Sequence, residues 1–232
     1  MIAKTPESPH CLVSVFVSAF ECWIEGESSD TPSVQFIEAM QRRRLSPLAK
    51  ASLSVMHRCA QGEAAYPVVY ASRHGELART MALLNQMAVN DMVSPMGFSL
   101  AVLNATAGLY SIAVGSQAAC SAVSAGEKTF DMGLLEASMQ AHATCSPVLY
   151  VYADEPLPAV YGAGVPIPLH AMAMRVYSQP AEGRTEVQCV RTTTKVQTEN
   201  ALPQALLFAK AWALAGGQSG AHDARVLTWS FL

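Results

Sequence analysis

Apolar residues fall along this chain in short, nearly unbroken blocks, and the segments between them keep a helical spacing. Five blocks read as strands: residues 11–19, 67–71, 119–123, 148–153 and 171–177. Several are Val/Ala/Tyr runs without the alternation of a half-solvated strand, which predicts strands covered on both faces. Helices are predicted between them. Residues 46–60 open on Ser46-Pro47, a capping hydroxyl followed by a first-turn proline. Residues 76–89 begin with an acid, favourable to the helix dipole. Residues 99–114 are apolar nearly all round and are expected to be buried on every side. Residues 127–143 carry Phe130, Leu134, Leu135 and Met139 at helical spacing, and residues 202–214 end before Gly216-Gly217, a helix-stop signal. Strands alternating with helices predict a layered α/β domain. The Pro/Gly-rich connection 154–168 leads into the fifth strand, with Asp154 and Glu155 expected to cap a turn. After Ser178 the chain turns polar, then closes with a strand-like piece, a helix and a tail that holds Trp229.

Composition sharpens this picture. Of the 232 residues, 51% are hydrophobic and only 14% charged, more apolar side chain than a monomer of this size needs for its core. The surplus calls for an unusually dry interior, a membrane or a partner surface. Residues 92–126 carry no charged side chain, but Ser94-Pro95, Gly97, Asn104, Gly108 and Gly115 interrupt them, so no single spanning helix is predicted. The early run CLVSVFVSAF is followed by Glu21 and Glu25, not by a small-residue cleavage site, and a cytoplasmic location is expected. The net charge is −3, and the only basic run, Arg42–Arg44, is short, which argues against a nucleic-acid partner. The six cysteines, at 11, 22, 59, 120, 145 and 189, show neither C-x-x-C spacing nor a histidine at ligand distance. Buried thiols are expected, and neither a metal nor a cofactor is implied.

The stretch SAVSAGEKTFDMGLLEA, residues 121–137, runs from a strand through a Ser-Ala-Gly corner into a helix. Such corners expose nucleophiles at the top of a sheet. Here the corner carries Glu127, and the nearest thiol, Cys120, lies seven residues earlier.

The preceding segment, SPMGFSLAVLNATAGLYSIAVGS (94–116), resembles the stretch before the active-site cysteine of β-ketoacyl synthases. The matching positions are Ser94-Pro95, Phe98, Asn104, Ala107-Gly108, Ser111-Ile112 and Gly115. Continued without gaps, the family's nucleophile falls on Glu127. RRRLSPLAKASLSV, ASRHGELARTMALLN, VLYVYADEPLP and HAMAMRVYS fit the same N-terminal half, so the likeness covers roughly residues 10–178. The chain is most similar to the chain length factors of aryl polyene and type II polyketide clusters.

The resemblance implies half of a thiolase-like fold: a five-stranded mixed sheet with helices on both faces. It implies one domain over 1–232, with an extension from about 179 to 232. The family's two catalytic histidines belong to its second half, and none of the six histidines here matches them. A non-catalytic subunit is implied, one that forms a heterodimer with a catalytic ketosynthase and meets acyl carrier protein transiently. The family's tunnel end falls near Arg73 and His74, with Phe98, Leu100 and Leu103 as further lining. The family's pairing strand falls on Ala119, Cys120, Ser121, Ala122 and Val123. Glu127 itself has three readings: a first-turn glutamate, an acid/base group, or a carboxylate filling the vacated acyl site and paired with Lys128 or a partner arginine. Two other classes stay open, a stand-alone acyltransferase or hydrolase using Cys120, and a homodimeric scaffold.

Overall fold

The computed structural model describes residues 10–61, 66–89, 92–161, 167–191, 202–215 and 226–231. Its strands are β1 (His10–Ile24), β2 (Val68–Ala71), β3 (Cys120–Val123), β4 (Val148–Asp154), β5 (His170–Tyr177), β6 (Thr185–Arg191) and β7 (Val226–Phe231). Its helices are α1 (Ala39–Arg42), α2 (Pro47–Ala60), α3 (Leu77–Ala88), α4 (Pro95–Ser99), α5 (Ala105–Val114), α6 (Thr129–Thr144) and α7 (Gln204–Leu214). The strands form one mixed sheet in the order β3-β2-β4-β5-β1-β6-β7. Strand β2 is parallel to both β3 and β4, whereas β5 is antiparallel to β4 and β1.

All five expected strands are present, and the α/β fold with helices on both faces is the one seen. The sheet is wider than five strands, however. The polar-looking segment after Ser178 supplies β6, antiparallel to β1, and β7 follows parallel to β6. The reason is legible in TEVQCVR: it alternates, with Val187 and Cys189 fully buried. Strand β1 is also longer than expected, because it pairs with β5 along one half and β6 along the other.

The unbroken apolar blocks have a direct cause. Every residue of β4 is buried, and successive side chains enter opposite cores. Leu149, Val151 and Ala153 join Leu48, Leu53 and Met56 of α2 on one face. Val148, Tyr150 and Tyr152 join Phe130 and Leu134 of α6 and Phe208 of α7 on the other. Helix α2 starts as its sequence predicts: Ser46 Oγ accepts from Ala49 N at 2.9 Å, with Pro47 in the first turn. Helix α6 ends on Cys145 in the left-handed region, φ +50°. A side chain there costs roughly 1–2 kcal/mol, partly offset by the backbone freedom glycine would add to the unfolded chain. Cys145→Gly is therefore expected to stabilise the protein by about 0.5–1 kcal/mol, raising the melting temperature by about 2 °C. A lower melting temperature would assign the residue's conformation to its thiol contact with the His142 carbonyl, 3.7 Å away.

The expected helix 99–114 is corrected. Within it residues 100–104 form turns between α4, which ends at Ser99, and α5, which begins only at Ala105, and the helix is not buried all round. Ser94 caps α4, its Oγ accepting from Gly97 N at 3.3 Å. Within α5 only Thr106, Ala107 and Tyr110 are buried, because α5 packs against α2 on one side only. Ile112 is 70% exposed, and Phe98 of α4 is 63% exposed. No residue of α3 is buried either, and Leu84 and Met87 face outward. Part of the apolar surplus in the composition thus lies on the outside of α3, α4 and α5. Among the described residues no helix is long and apolar enough to cross a membrane.

Candidate functional site

The C-terminal ends of the parallel strands β2, β3 and β4 converge, and their turns gather the polar side chains that the sequence singled out. The turn after β2 holds Ser72, Arg73, His74 and Gly75; the corner after β3 holds Ser124–Glu127; β4 ends in Asp154, with Glu155 next.

Asp154 organises this end. Its side chain is buried, with 2% of the residue exposed. Oδ1 accepts from Ser72 Oγ at 2.8 Å, Arg73 N at 3.0 Å and His74 N at 3.3 Å. Oδ2 accepts from the Tyr152 hydroxyl. Ser72 Oγ accepts in turn from Gly75 N at 2.8 Å, and Gly75 adopts φ +59°, a conformation that suits glycine. Hydrogen bonds to a charged group contribute about 1.5–3 kcal/mol each, enough to hold a buried carboxylate in place. Glu155 accepts from Ala78 N at 3.0 Å and so caps α3 from another strand. Its burial raises its pKa. The expected capping of their own connection is corrected: Asp154 holds the turn after β2 and Glu155 the first turn of α3, both some 80 residues away in the chain. Glu76, expected to serve the α3 dipole, is instead buried and accepts from Ser46 Oγ at 2.6 Å.

The corner after β3 is built locally. Thr129 Oγ1 accepts from Ala125 N at 2.9 Å and donates to the Gly126 carbonyl at 2.7 Å, while Gly126 takes φ +60°. One turn of 3₁₀ helix, Gly126–Lys128, then leads into α6. Glu127 stands on this turn, its side chain 86% exposed, and pairs with Arg73 at 3.7 Å. Among the described residues the cation beside it is therefore Arg73 of the neighbouring turn. Ser124 Oγ also donates to the Arg73 carbonyl at 3.1 Å, tying the two turns together.

The remaining expected residues are placed as follows. His74 is half-buried, and desolvation lowers its pKa, with the Asp154 charge opposing and Arg73 assisting. Leu103 reaches the same turn: a Cβ built on Gly75 would meet Leu103 Cδ1 at 3.4 Å. Leu100 is half-buried, whereas Phe98 faces outward on α4. Among the described residues strand β3 is an edge strand paired with β2 alone. Ala119, Cys120 and Ala122 are exposed, and Ser121 and Val123 half-buried. Partial burial raises the Cys120 thiol pKa, the opposite of what an activated nucleophile requires. Asp154, the centre of the site, was singled out in the sequence only as a cap; Ser72 was missed, and its local signal, a serine after a strand, is too common to select it. Among the described residues no group of His, Cys, Asp or Glu side chains is placed to hold a metal ion.

A mixed sheet sandwiched between helix layers, with a strand–corner–helix unit at the end of its parallel strands, defines a layered α/β domain. The chain belongs to the β-ketoacyl synthase family: the family's N-terminal domain matches residues 21–231. Among solved structures it is similar to a chain of the ketosynthase ApeO in complex with its chain length factor ApeC from Xenorhabdus doucetiae. The identity is 24%, the TM-score 0.72, and the match covers 86% of this chain and 91% of that one. A looser likeness, at 12% identity and TM-score 0.42, is to PksG, an HMG-CoA synthase from Bacillus subtilus; it covers 72% of this chain and 42% of that one. No curated protein matches the sequence.

Proposed function

We propose that this chain is a chain length factor: a subunit without condensing activity of its own that pairs with a catalytic ketosynthase and shapes the tunnel for the growing acyl chain of a polyene or polyketide. The observation that carries this reading is the corner after β3. Condensation needs a nucleophile that holds the acyl group as a thioester. At the position that resembles the family's cysteine this corner presents Glu127, paired with Arg73. An acylated carboxylate would be an anhydride, open to hydrolysis. The Cys120 thiol is a poor substitute, since its pKa is shifted away from the thiolate.

Two surfaces support a partner of similar fold. The outer edge of β3 lacks a strand neighbour among the described residues, and short apolar edges of this kind are usually covered. The outward apolar side chains of α3, α4 and α5 supply the dry centre that obligate interfaces possess. The solved ketosynthase–chain length factor complex offers a precedent for such a pair. Within the pair, Arg73, His74, Leu100 and Leu103 are the tunnel candidates of this subunit, and acyl carrier protein is the transient partner that delivers the chain.

The test is co-expression with a ketosynthase of the same biosynthetic class, followed by size-exclusion chromatography and a condensation assay with malonyl- and acyl-carrier protein. A stable 1:1 complex is expected, with turnover in the complex and none in this chain alone. Condensation by the isolated chain that is lost in Glu127→Ala would overturn the reading, as would a well-behaved monomer that ignores every ketosynthase offered.

A further inference from the structure

The turn after β2 is held from inside the sheet as well as by its own Ser72, whose Oγ accepts from Gly75 N at 2.8 Å. Two consecutive backbone amides, Arg73 N and His74 N, point at one carboxylate oxygen of Asp154, at 3.0 and 3.3 Å. That carboxylate sits at the last position of β4, and β4 is buried throughout. Its second oxygen is engaged by Tyr152, two residues back on the same face, whose ring packs 5.8 Å from His170. His170 lies directly across the ladder from Asp154 on β5, with Nδ1 donating to the Pro168 carbonyl at 2.9 Å. The turn is thus referenced to two central strands, β4 and β5. Its outer side is tied by Ser124 and Glu127 to the corner after β3.

An enclosed carboxylate is a costly way to hold a surface turn. The Ser72–Gly75 hydrogen bond already closes the turn locally, so the carboxylate is not needed merely to form it. What this arrangement adds is precision: the direction of the His74 side chain follows from backbone atoms fixed to the rigid middle of the sheet. Functional groups need such support to be held within fractions of an ångström.

We propose that Asp154 is a positioning residue: it sets where His74 stands and thereby the length of acyl chain that the site admits. This rests on the chain-length reading above. Arg73 is the more exposed of the pair and faces Glu127, whereas His74 is half-buried, so His74 is the side chain of this turn that we assign to the chain end. Ser72 belongs to the same device, since its hydroxyl bridges Asp154 and Gly75 N.

The experiment uses the reconstituted complex with a ketosynthase and two readouts: product length by mass spectrometry, and amide hydrogen exchange over residues 72–76. Asp154→Ala is expected to speed exchange of the turn amides by about tenfold or more and to shift the length distribution in the direction given by His74→Ala. Asp154→Asn retains an oxygen for the two amides and should restore most of both. Ser72→Ala should give a smaller shift of the same sign, and it carries the test if Asp154→Ala does not assemble. Unchanged exchange and unchanged products in an assembled Asp154→Ala complex overturn the proposal. Faster exchange with unchanged products overturns it too, provided His74→Trp alters length. If His74→Trp also leaves length unchanged, what fails is the assignment of this turn to the acyl tunnel, and the proposal falls with it.

Discussion

Replacing Gly133 with alanine destabilises this protein by about 1–3 kcal/mol, although the same change in a solvent-facing helix would stabilise it by about 1 kcal/mol. Gly133 lies in α6 where the helix crosses β2 and β4. A Cβ there would stand 2.7 Å from Tyr150 Cε2, 2.8 Å from the Tyr150 hydroxyl oxygen and 2.8 Å from Ala71 Cβ. None of these can step aside cheaply. Tyr150 is fully buried and donates to the Phe130 carbonyl at 2.7 Å, and Ala71 Cβ moves only with the β2 backbone. The helix must therefore lift, and Phe130 and Leu134, packed beneath it, lift with it. Urea unfolding checks the result: the midpoint should fall with an unchanged slope. An unchanged or raised midpoint would mean that α6 is seated farther from the sheet than described.

The second large effect concerns assembly. Ala122→Asp should leave the isolated chain folded yet abolish co-purification with a ketosynthase. Ala122 is exposed on the edge strand β3, so a carboxylate there meets water while the chain is alone. Between two joined sheets it would be a buried charge without a partner, which costs about 3–5 kcal/mol. That corresponds to at least about a hundredfold loss of affinity. Ser121→Lys should act in the same direction, and it also removes the acceptor for Gln140 Nε2, now at 3.1 Å. The measurement is a pull-down with quantified stoichiometry, alongside circular dichroism of each variant. Folded variants that still assemble 1:1 would place the seam elsewhere, with the outer faces of α3 and α4 as the next candidates.

Much of this fold can be read from the chain because its strands are central. In VLYVYAD, seven consecutive buried positions demand two covered faces, and the short length and the Val and Tyr content favour a strand over a buried helix. The start of α2 is equally legible, since Ser46-Pro47 is a local device whose hydrogen bond closes within one turn. The alternating β6 carries its signal too and reads as a strand-like piece, but only its pairing with β1 shows that it widens the sheet. The stretch 99–114 misleads for a physical reason: hydrophobicity predicts that a helix will be covered, not that its own chain will cover it. Tyr110 is covered by the chain itself, and Ile112 is not.

At the site the division follows the distance over which each interaction acts. The sequence by itself determined the strand–corner–helix unit, with Gly126 and Thr129 closing it within a few residues. It also determined that two acids stand at the end of β4 and that Arg73 and His74 follow β2. Only the tertiary structure decided that these belong together. Parallel pairing of β2 with β4 brings Asp154 beneath the turn at Arg73 and His74, and parallel pairing of β2 with β3 sets Arg73 beside Glu127. A strand register is a sum of many weak contacts spread over distant segments, so no local residue pattern encodes which carboxylate will meet which amide.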